Sequence, residues 1–374
     1  MQYSNFDNID RPISKLGFGL MRLPKISEDS DVIDRDEAFR LIDLAMKAGV
    51  NYYDTAFFYH GGDSEKFAYE ALSRYPRESF CLATKLPGGH MKDHKVTPEE
   101  IFNGQLKKCG VDYFDFYLLH AVNRDIMTTF EEYKSYEYLS EQKKAGKIRY
   151  LGFSYHGDFE FFVELVDKYK WDFVQLQINY YDWDANDAKA FYDVLAERNI
   201  PCIVMEPVRG GSLHKLNDEA RAVFDRLGDA SYASYALRYV AQLPNVLTTL
   251  SGMSTYEQVE DNLNTFKDLK PLSDEEAKAV EEANIHFRKN FAIPCTDCKY
   301  CVEHCPANVD IPLNFKAYNE YNKTRELDDF RKVYDSIPEM RQCTCCIECG
   351  VCKSHCPQQI DIPKALKKVA GVGK

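Results

Sequence analysis

Short apolar runs alternate with amphipathic stretches along the first 285 residues of the chain, at intervals of roughly 25 to 35 residues. Short apolar runs bounded by turn residues predict buried strands, and apolar positions with a 3.6-residue period predict helices. Eight strands are predicted in this way, at residues 16–19, 50–53, 80–84, 114–119, 148–153, 173–176, 201–205 and 246–250.

Helix signals lie between the predicted strands. Residues 97–100 (Thr-Pro-Glu-Glu) combine an N-cap, a proline at the first helical position and a capping-box glutamate. Gly49 and Gly146 are expected to end the helices that start near Asp36 and Thr128. Eight strands that are each followed by a helix predict an α/β fold, a (β/α)8 TIM barrel, with its active site at the carboxyl ends of the strands.

Composition and charge narrow the class of protein. Of the 374 residues 45% are hydrophobic, which excludes a disordered chain, and 47 basic against 59 acidic residues give a net charge of −12. An acidic chain is a poor partner for nucleic acid or an anionic membrane. The first residues do not resemble a signal peptide, and no apolar run approaches the roughly 18 residues that span a bilayer. We expect a soluble, cytoplasmic protein without nucleic-acid or membrane partners.

The thirteen cysteines are unevenly distributed, because ten of them follow Asn290. Such crowding predicts metal ligation in a reducing compartment rather than a disulfide framework. It also predicts a boundary near residue 285 between a barrel domain (residues 1–285) and a mainly helical C-terminal domain (residues 286–374).

Two cysteine motifs repeat at an offset of 51 residues, and each ends in Cys-Pro followed by Asp-Ile-Pro. In two-cluster ferredoxins the fourth cysteine of each such motif ligates the other cluster. One [4Fe–4S] cluster is therefore predicted on Cys295, Cys298, Cys301 and Cys356, and a second on Cys346, Cys349, Cys352 and Cys305. This part of the chain resembles a bacterial-type ferredoxin module of the helical variety, since residues 314–334 read as helices.

Paired zinc knuckles are the alternative interpretation, because Cys-x2-Cys pairs also bind zinc. Four cysteines per motif with a trailing Cys-Pro, present twice, favour iron–sulfur clusters. Cys343 and Cys345 fall outside the motif and are interpreted as flanking residues.

Polar side chains suited to a proton-donating site lie at three consecutive strand ends. Asp54 and Tyr59 follow the second predicted strand, Lys85 follows the third and His120 follows the fourth. A lysine cation lowers the pKa of a nearby tyrosine, a carboxylate keeps that lysine charged, and a histidine can orient a substrate oxygen. These four residues are predicted to form one proton-donating site at the barrel mouth.

Residues 1 to about 270 resemble the aldo-keto reductase superfamily, whose barrel has this architecture. The motifs that carry the resemblance are Asp54-x4-Tyr59, Gly61-Gly62-x-Ser64-Glu65, Thr84-Lys85, Leu119-His120 and Gly152-Phe153-Ser154. The resemblance implies that Tyr59 protonates a carbonyl oxygen while a nicotinamide cofactor, NADP or NAD, delivers hydride.

The resemblance also implies which residues bind the nucleotide. Ser154 and Gln175 would bind the nicotinamide carboxamide, and Met205 stands where many members have an aromatic ring. The adenosine end would be bound by Gly252, Ser254, Gln258 and Asn262. Many members carry Lys and Arg here for the 2′-phosphate, whereas this chain aligns Gly252 and Gln258, so NADP and NAD both remain open.

Three functions are compatible with these residues. The first is an NAD(P)H-dependent oxidoreductase that reduces a small carbonyl substrate or oxidises an alcohol. The second is an electron-transfer reductase whose clusters relay single electrons, from a ferredoxin or another carrier, to the barrel site; a flavin would then couple one-electron to two-electron steps. The third is a redox-sensing, non-catalytic adaptor. The intact set of four polar residues favours an enzyme, and the first function is preferred.

Overall fold

The computed structural model describes residues 1–27, 30–289 and 292–372. The chain divides into two compact units, each made of two segments. We call Met1–Val208 with Ala233–Ser273 the barrel unit, and Arg209–Tyr232 with Asp274–Lys374 the cysteine unit. The domain boundary near residue 285 stays a prediction.

Ten strands are present in the described part of the chain, and eight of them close into a parallel barrel in the order β10-β3-β4-β5-β6-β7-β8-β9. All eight predicted strands are confirmed. The strands are β1 (Tyr3–Phe6), β2 (Ile9–Ser14), β3 (Leu16–Gly19), β4 (Tyr52–Asp54), β5 (Cys81–Leu86), β6 (Phe114–Val122), β7 (Ile148–Tyr155), β8 (Phe173–Gln177), β9 (Cys202–Met205) and β10 (Val246–Gly252).

Helices follow the barrel strands and make up most of the cysteine unit. They are α1 (Arg35–Lys47), α2 (Ser64–Leu72), α3 (Gly88–His94), α4 (Pro98–Cys109), α5 (Arg124–Glu132), α6 (Ser135–Lys144), α7 (Phe159–Lys168), α8 (Asp182–Ala185), α9 (Ala188–Glu197), α10 (Asp218–Asp225), α11 (Tyr232–Ala241), α12 (Tyr256–Lys267), α13 (Asp274–Lys289), α14 (Tyr300–Glu303), α15 (Ile311–Thr324), α16 (Leu327–Tyr334), α17 (Val351–Ser354) and α18 (Ile362–Ala370). Short 3-10 turns occur at Leu20–Arg22, Tyr59–Gly62, Arg77–Ser79, Arg209–Gly211, Glu339–Arg341 and Cys343–Cys345.

The helix signals are confirmed with one correction. Helix α4 begins with the predicted capping box, in which Thr97 and Glu100 bond to each other's backbone. The helix expected from Thr128 to Gly146 is instead two helices, α5 and α6. Lys134 between them has φ 50°, a left-handed conformation that interrupts the helical hydrogen bonds.

The antiparallel hairpin β1–β2 was not predicted and closes one end of the barrel. Ile9 and Ile13 of the hairpin share a buried cluster with Tyr52, Phe116 and Phe173, which lie at or near the first residues of their strands. The hairpin therefore covers the amino ends of the strands. This arrangement leaves the carboxyl ends, where the polar residues lie, as the open mouth of the barrel.

The cysteine unit has a buried core of its own, in which apolar side chains from α15, α16 and α18 surround Cys301, Cys343 and Cys352. Helices α10 and α13 pair within the same unit: Arg226 contacts Glu282 at 2.9 Å and Asn217 donates to the carbonyl of His286. None of the described helices is long and apolar enough to cross a bilayer.

Candidate functional site

Lys85 and Asp54 form a buried ion pair between neighbouring barrel strands. Lys85 lies in β5 and Asp54 ends β4, and their side chains are 0% and 2% exposed. The Lys85 ammonium donates to Asp54 Oδ1 at 2.6 Å and to the carbonyl of Thr55 at 2.8 Å. It also donates to the Tyr59 hydroxyl at 3.4 Å. The cation is thereby held beside the phenol.

Tyr59 is positioned by an irregular turn that follows β4. His60, Gly61 and Gly62 have φ of 53°, 60° and 88°, and two glycines make three successive left-handed residues sterically possible. His120, near the end of β6, lies edge-on to the Tyr59 ring with the centroids 6.3 Å apart. The four residues predicted to form the proton-donating site thus lie close together, while the role of each stays a prediction.

Burial and charge act against each other in this ion pair. Burial raises the pKa of Asp54 and lowers that of Lys85, and the attraction between the two side chains opposes both shifts. Removing either residue would leave the other as a charge in a site that cannot solvate it, which is far costlier than losing an exposed ion pair.

Glu65 is a second buried carboxylate behind Lys85, and reasoning from single residues did not assign it a role. It accepts hydrogen bonds from Thr84 at 2.7 Å and from Gln105 at 2.6 Å, and Lys108 lies 3.6 Å away. Its charge raises the pKa of Lys85 and so partly offsets the effect of burial. The Ser-Glu part of the glycine motif was the signal that could have revealed it.

His120 has an unexpected neighbour in His156. The pKa of His120 lies well below the ordinary value because of burial first, then Lys85 and then His156. Burial lowers the pKa of His156 to about 4. Both imidazoles are therefore neutral near pH 7, so each can donate one hydrogen bond without carrying a charge.

Replacing His156 with Gln is expected to make the barrel unit less sensitive to mild acid. The unfolded chain protonates this imidazole near its ordinary pKa of about 6.5, whereas the folded value is about 4. Since folding lowers the pKa, the unfolded state binds more protons, and stability falls as the pH drops from about 6.5 toward 4. The loss at about pH 5 is on the order of 1–2 kcal/mol, measurable by urea unfolding at that pH and at neutral pH.

The matched control is His94→Gln, which changes an exposed histidine of the same unit. That variant should lose as much stability in acid as the unchanged protein. An undiminished acid loss in His156→Gln would show that this histidine is not held neutral by the fold.

Ser154 and Gln175 are neighbours in the register between β7 and β8. Ser154 Oγ accepts from the backbone N–H of Ala121 at 2.8 Å, and Gln175 Nε2 approaches the Met205 sulfur at 3.4 Å. Gln175 is 2% exposed, and its Oε1 has no hydrogen-bond partner among residues 1–27, 30–289 and 292–372. A buried acceptor without a partner fits the amide N–H groups of a nicotinamide.

The residues predicted around adenosine lie on β10, the following loop and α12. Ser254 Oγ donates to the carbonyl of Arg22 at 2.6 Å, while its backbone N–H donates to Gln258 Oε1 at 2.7 Å. Asn262 donates to Ser251 Oγ at 2.9 Å. These residues therefore lie close together where β10 ends and α12 begins.

Arg22 is a cation beside this loop, and it was not predicted from the sequence. A Cβ on Gly252 would lie 2.7 Å from Arg22 Cγ, so the glycine leaves room for the arginine. Arg22 Nη2 is buried and has no hydrogen-bond partner in the described part of the chain. Its position just after the first barrel strand was the available signal, since loops at that end of a barrel bind ligands.

The eight motif cysteines line two cavities within the cysteine unit. The first cavity is lined by Cys295, Cys298, Cys301 and Cys356. The second cavity is lined by Cys305, Cys346, Cys349 and Cys352. No three His, Cys, Asp or Glu side chains of the described residues are spaced to share a single ion. Four sulfurs around each cavity fit one cubane, in the sets that the spacing predicts.

Comparison with known proteins assigns the class. Residues 15–285 match the aldo/keto reductase family, and residues 294–360 match the 4Fe-4S dicluster domain. The first match covers most of the chain, which therefore belongs to the aldo/keto reductase family. It is an oxidoreductase of that family that carries a C-terminal 4Fe-4S domain.

Similar proteins cover about three quarters of the chain. An uncharacterized oxidoreductase of Bacillus subtilis, YqkF, is 25% identical over 73% of this chain and 93% of its own length. The L-galactose dehydrogenase of Arabidopsis thaliana is 25% identical over 77% of this chain and 95% of its own length. The holo structure of aldo-keto reductase AKR11C1 from Bacillus halodurans superposes with a TM-score of 0.61 at 25% identity, covering 76% of this chain and 96% of that one. The predicted barrel fold is thus confirmed.

Proposed function

We propose that the protein catalyses the NAD(P)H-dependent reduction of a small carbonyl compound, or the reverse oxidation of an alcohol, with Tyr59 as the proton donor. We further propose that its C-terminal domain holds two [4Fe–4S] clusters. The observation that carries the catalytic proposal is the buried Lys85 ammonium, which bonds both the Tyr59 hydroxyl and the Asp54 carboxylate.

The proton chemistry follows from this contact. Nicotinamide, when bound, supplies a hydride to the carbonyl carbon. As the C=O π bond breaks, the Tyr59 hydroxyl gives its proton to the oxygen, and the phenolate that remains is stabilised by the Lys85 ammonium. Asp54 keeps this ammonium in place and charged, so little reorganisation is needed when the phenolate forms.

His120 is suited to orient the substrate oxygen. Its lowered pKa keeps the imidazole neutral, so it can donate a hydrogen bond without competing with Tyr59 as an acid. Its ring lies edge-on to the Tyr59 ring with the centroids 6.3 Å apart, which supports a role for both groups at the same substrate oxygen.

The named relatives support the substrate class. The Arabidopsis thaliana protein is named an L-galactose dehydrogenase. An Escherichia coli protein named NADH-specific methylglyoxal reductase is 28% identical over 38% of this chain and 48% of its own length. Dehydrogenation of a hydroxyl group and reduction of a carbonyl are one reaction in opposite directions, which favours a small carbonyl or alcohol substrate here.

Replacing Arg22 with Gln is expected to weaken nucleotide binding by about tenfold or more. We propose that a phosphate of the bound nucleotide accepts a hydrogen bond from Arg22 Nη2, which is buried and has no partner in the described part of the chain. A charge-assisted hydrogen bond contributes about 1.5–3 kcal/mol. Titration of NADH and NADPH, each followed by nucleotide fluorescence, measures the two dissociation constants. A larger loss for NADPH would assign Arg22 to the 2′-phosphate.

Arg40→Gln is the control, since this exposed arginine of α1 pairs only weakly with Glu37, at 3.4 Å. It should leave both dissociation constants unchanged. If Arg22→Gln also leaves them unchanged, the nucleotide does not use this cation.

The proposed function is tested by an anaerobic assay of the full chain with its clusters in place. Oxidation of NADH or NADPH that depends on an added aldehyde or ketone is the expected result. Turnover that requires reduced ferredoxin or a bound flavin would favour the electron-transfer reductase instead. Absence of both activities from fully loaded protein would favour the adaptor. About eight irons and eight sulfides per chain are expected, and a zinc-only analysis would refute the clusters.

A further inference from the structure

The two cysteine motifs give the cysteine unit an internal repeat, which allows each half to serve as the reference for the other. Each position from Cys295 to Pro312 has a counterpart 51 positions later, from Cys346 to Pro363. His304 and His355, one such pair, stack with ring centroids 3.7 Å apart, and the paired Asp310 and Asp361 cap α15 and α18. A charged residue that is present beside only one of the two cavities is therefore an exception to the symmetry of the repeat.

Arg209 is such an exception, because it bonds residues beside the first cavity only. Its side chain is fully buried and stands among the largest buried side chains of the protein. Its Nη2 donates to the carbonyl of Pro294 at 2.9 Å and to Gln358 Oε1 at 3.1 Å. Pro294 directly precedes Cys295, and Gln358 follows Cys356 by two residues, so the guanidinium joins both segments that close the first cavity.

The equivalent positions beside the second cavity lack this arrangement. Gln358 corresponds to Ala307, which has no side-chain acceptor for a guanidinium. Apart from its cysteines, the described residues that line the second cavity have no ionisable side chains. The first cavity includes Gln358, the anchor of Arg209, and the exposed Lys299, whose counterpart is Gly350.

Arg209 lies close to the ligands of the first cavity, because the two residues that it bonds are next to Cys295 and two residues from Cys356. Its backbone lies in the left-handed region, with φ 51°, which non-glycine residues rarely adopt. The fold thus holds a buried cation against one of two otherwise similar sites.

Reduction adds one negative charge to an iron–sulfur cluster, and a nearby buried cation stabilises that charge strongly because screening inside a protein is weak. We propose that Arg209 raises the reduction potential of the cluster on Cys295, Cys298, Cys301 and Cys356 above that of the cluster on Cys346, Cys349, Cys352 and Cys305. One electron that leaves the second cluster then reduces the first, and no other reactant is needed. The inference rests on the proposed two-cluster content.

Anaerobic redox titration of the full, loaded chain, followed by electron paramagnetic resonance, tests this proposal. Two potentials are expected in the unchanged protein. Cys352→Ala removes a ligand of the second cluster, so the signal that survives in this variant belongs to the first cluster and should have the higher potential. Arg209→Met should lower the potential of the first cluster by about 59 mV, which for one electron is a tenfold change in the ratio of reduced to oxidised cluster. The potential of the second cluster should not change. Arg209→Lys should retain most of the difference.

Two further variants separate charge from structure. Lys299→Gln removes an exposed cation beside the same cavity and should shift the potential far less, because water screens it. If Arg209→Met does not assemble, Gln358→Ala introduces the residue found at the equivalent position of the second cavity, Ala307, and removes one hydrogen bond to the guanidinium. A smaller fall in the same potential is then expected.

Equal potentials in the unchanged protein would overturn the inference, and so would equal shifts in Arg209→Met and Arg209→Lys. An iron content of about four per chain would instead refute the two-cluster proposal, so the two failures are distinguishable.

Discussion

Replacing Tyr59 with Phe is expected to lower kcat for carbonyl reduction by about 10²- to 10⁴-fold, the range for a positioned general acid. Phenylalanine keeps the ring beside His120 but lacks the hydroxyl that Lys85 holds at 3.4 Å. Because the change removes only the proton donor, nucleotide affinity should stay the same. Steady-state rates at saturating nucleotide, together with a nucleotide titration, measure both quantities.

Tyr136→Phe provides the matched control, as this tyrosine bonds the backbone of Lys170 elsewhere in the barrel unit. Its rate should equal that of the unchanged protein. A normal rate for Tyr59→Phe would mean that another group protonates the oxygen, and the proposed role of the buried ion pair would fail with it.

Replacing Cys352 with Ala is expected to remove about half of the roughly eight irons and to destabilise the cysteine unit. Its sulfur lines the second cavity, and its side chain is part of the buried core of that unit. Metal ligation and folding are coupled where the ligands lie inside a small core. On heating, the cysteine unit that has lost one cluster should therefore unfold at a lower temperature than the barrel unit. Iron analysis and thermal unfolding of the loaded protein give the two readouts.

Cys343→Ala separates ligation from packing. Cys343 is also buried in this core, lies outside the motif, and its sulfur is 3.3 Å from the Tyr334 hydroxyl. Its removal should lower stability somewhat and leave the iron content unchanged. Equal iron loss in the two variants would show that the predicted ligand set is wrong.

The barrel could be predicted from the sequence because most positions of its strands are buried, so short segments rich in apolar residues alternate with helix signals. The hairpin was missed because β1 and β2 are short and bury only some of their residues, leaving no such run. The prediction of one helix from near Thr128 to Gly146 was wrong, because a single left-handed residue such as Lys134 is not recognisable from periodicity.

The candidate site was predictable where its chemistry follows short motifs at strand ends, as with Asp54, Lys85 and His120. Contacts between residues distant in sequence were not predictable, because spacing carries no information about them. Arg209 and Gln358, for example, are 149 positions apart. Arg22 and Ser254 are 232 positions apart. In these cases the fold, rather than a motif, brings the side chains together.

The chain passes from one unit to the other after Val208, after Tyr232 and again after Ser273. The cysteine unit is therefore not a tail that can be trimmed away. A chain cut after Ser273 would still carry α10 but would lose α13, its packing partner, and would uncover Ala220, Val223 and Phe224. On the ribosome the same three residues emerge before α13 has been made, which leaves an apolar face open to aggregation until synthesis of that helix is complete.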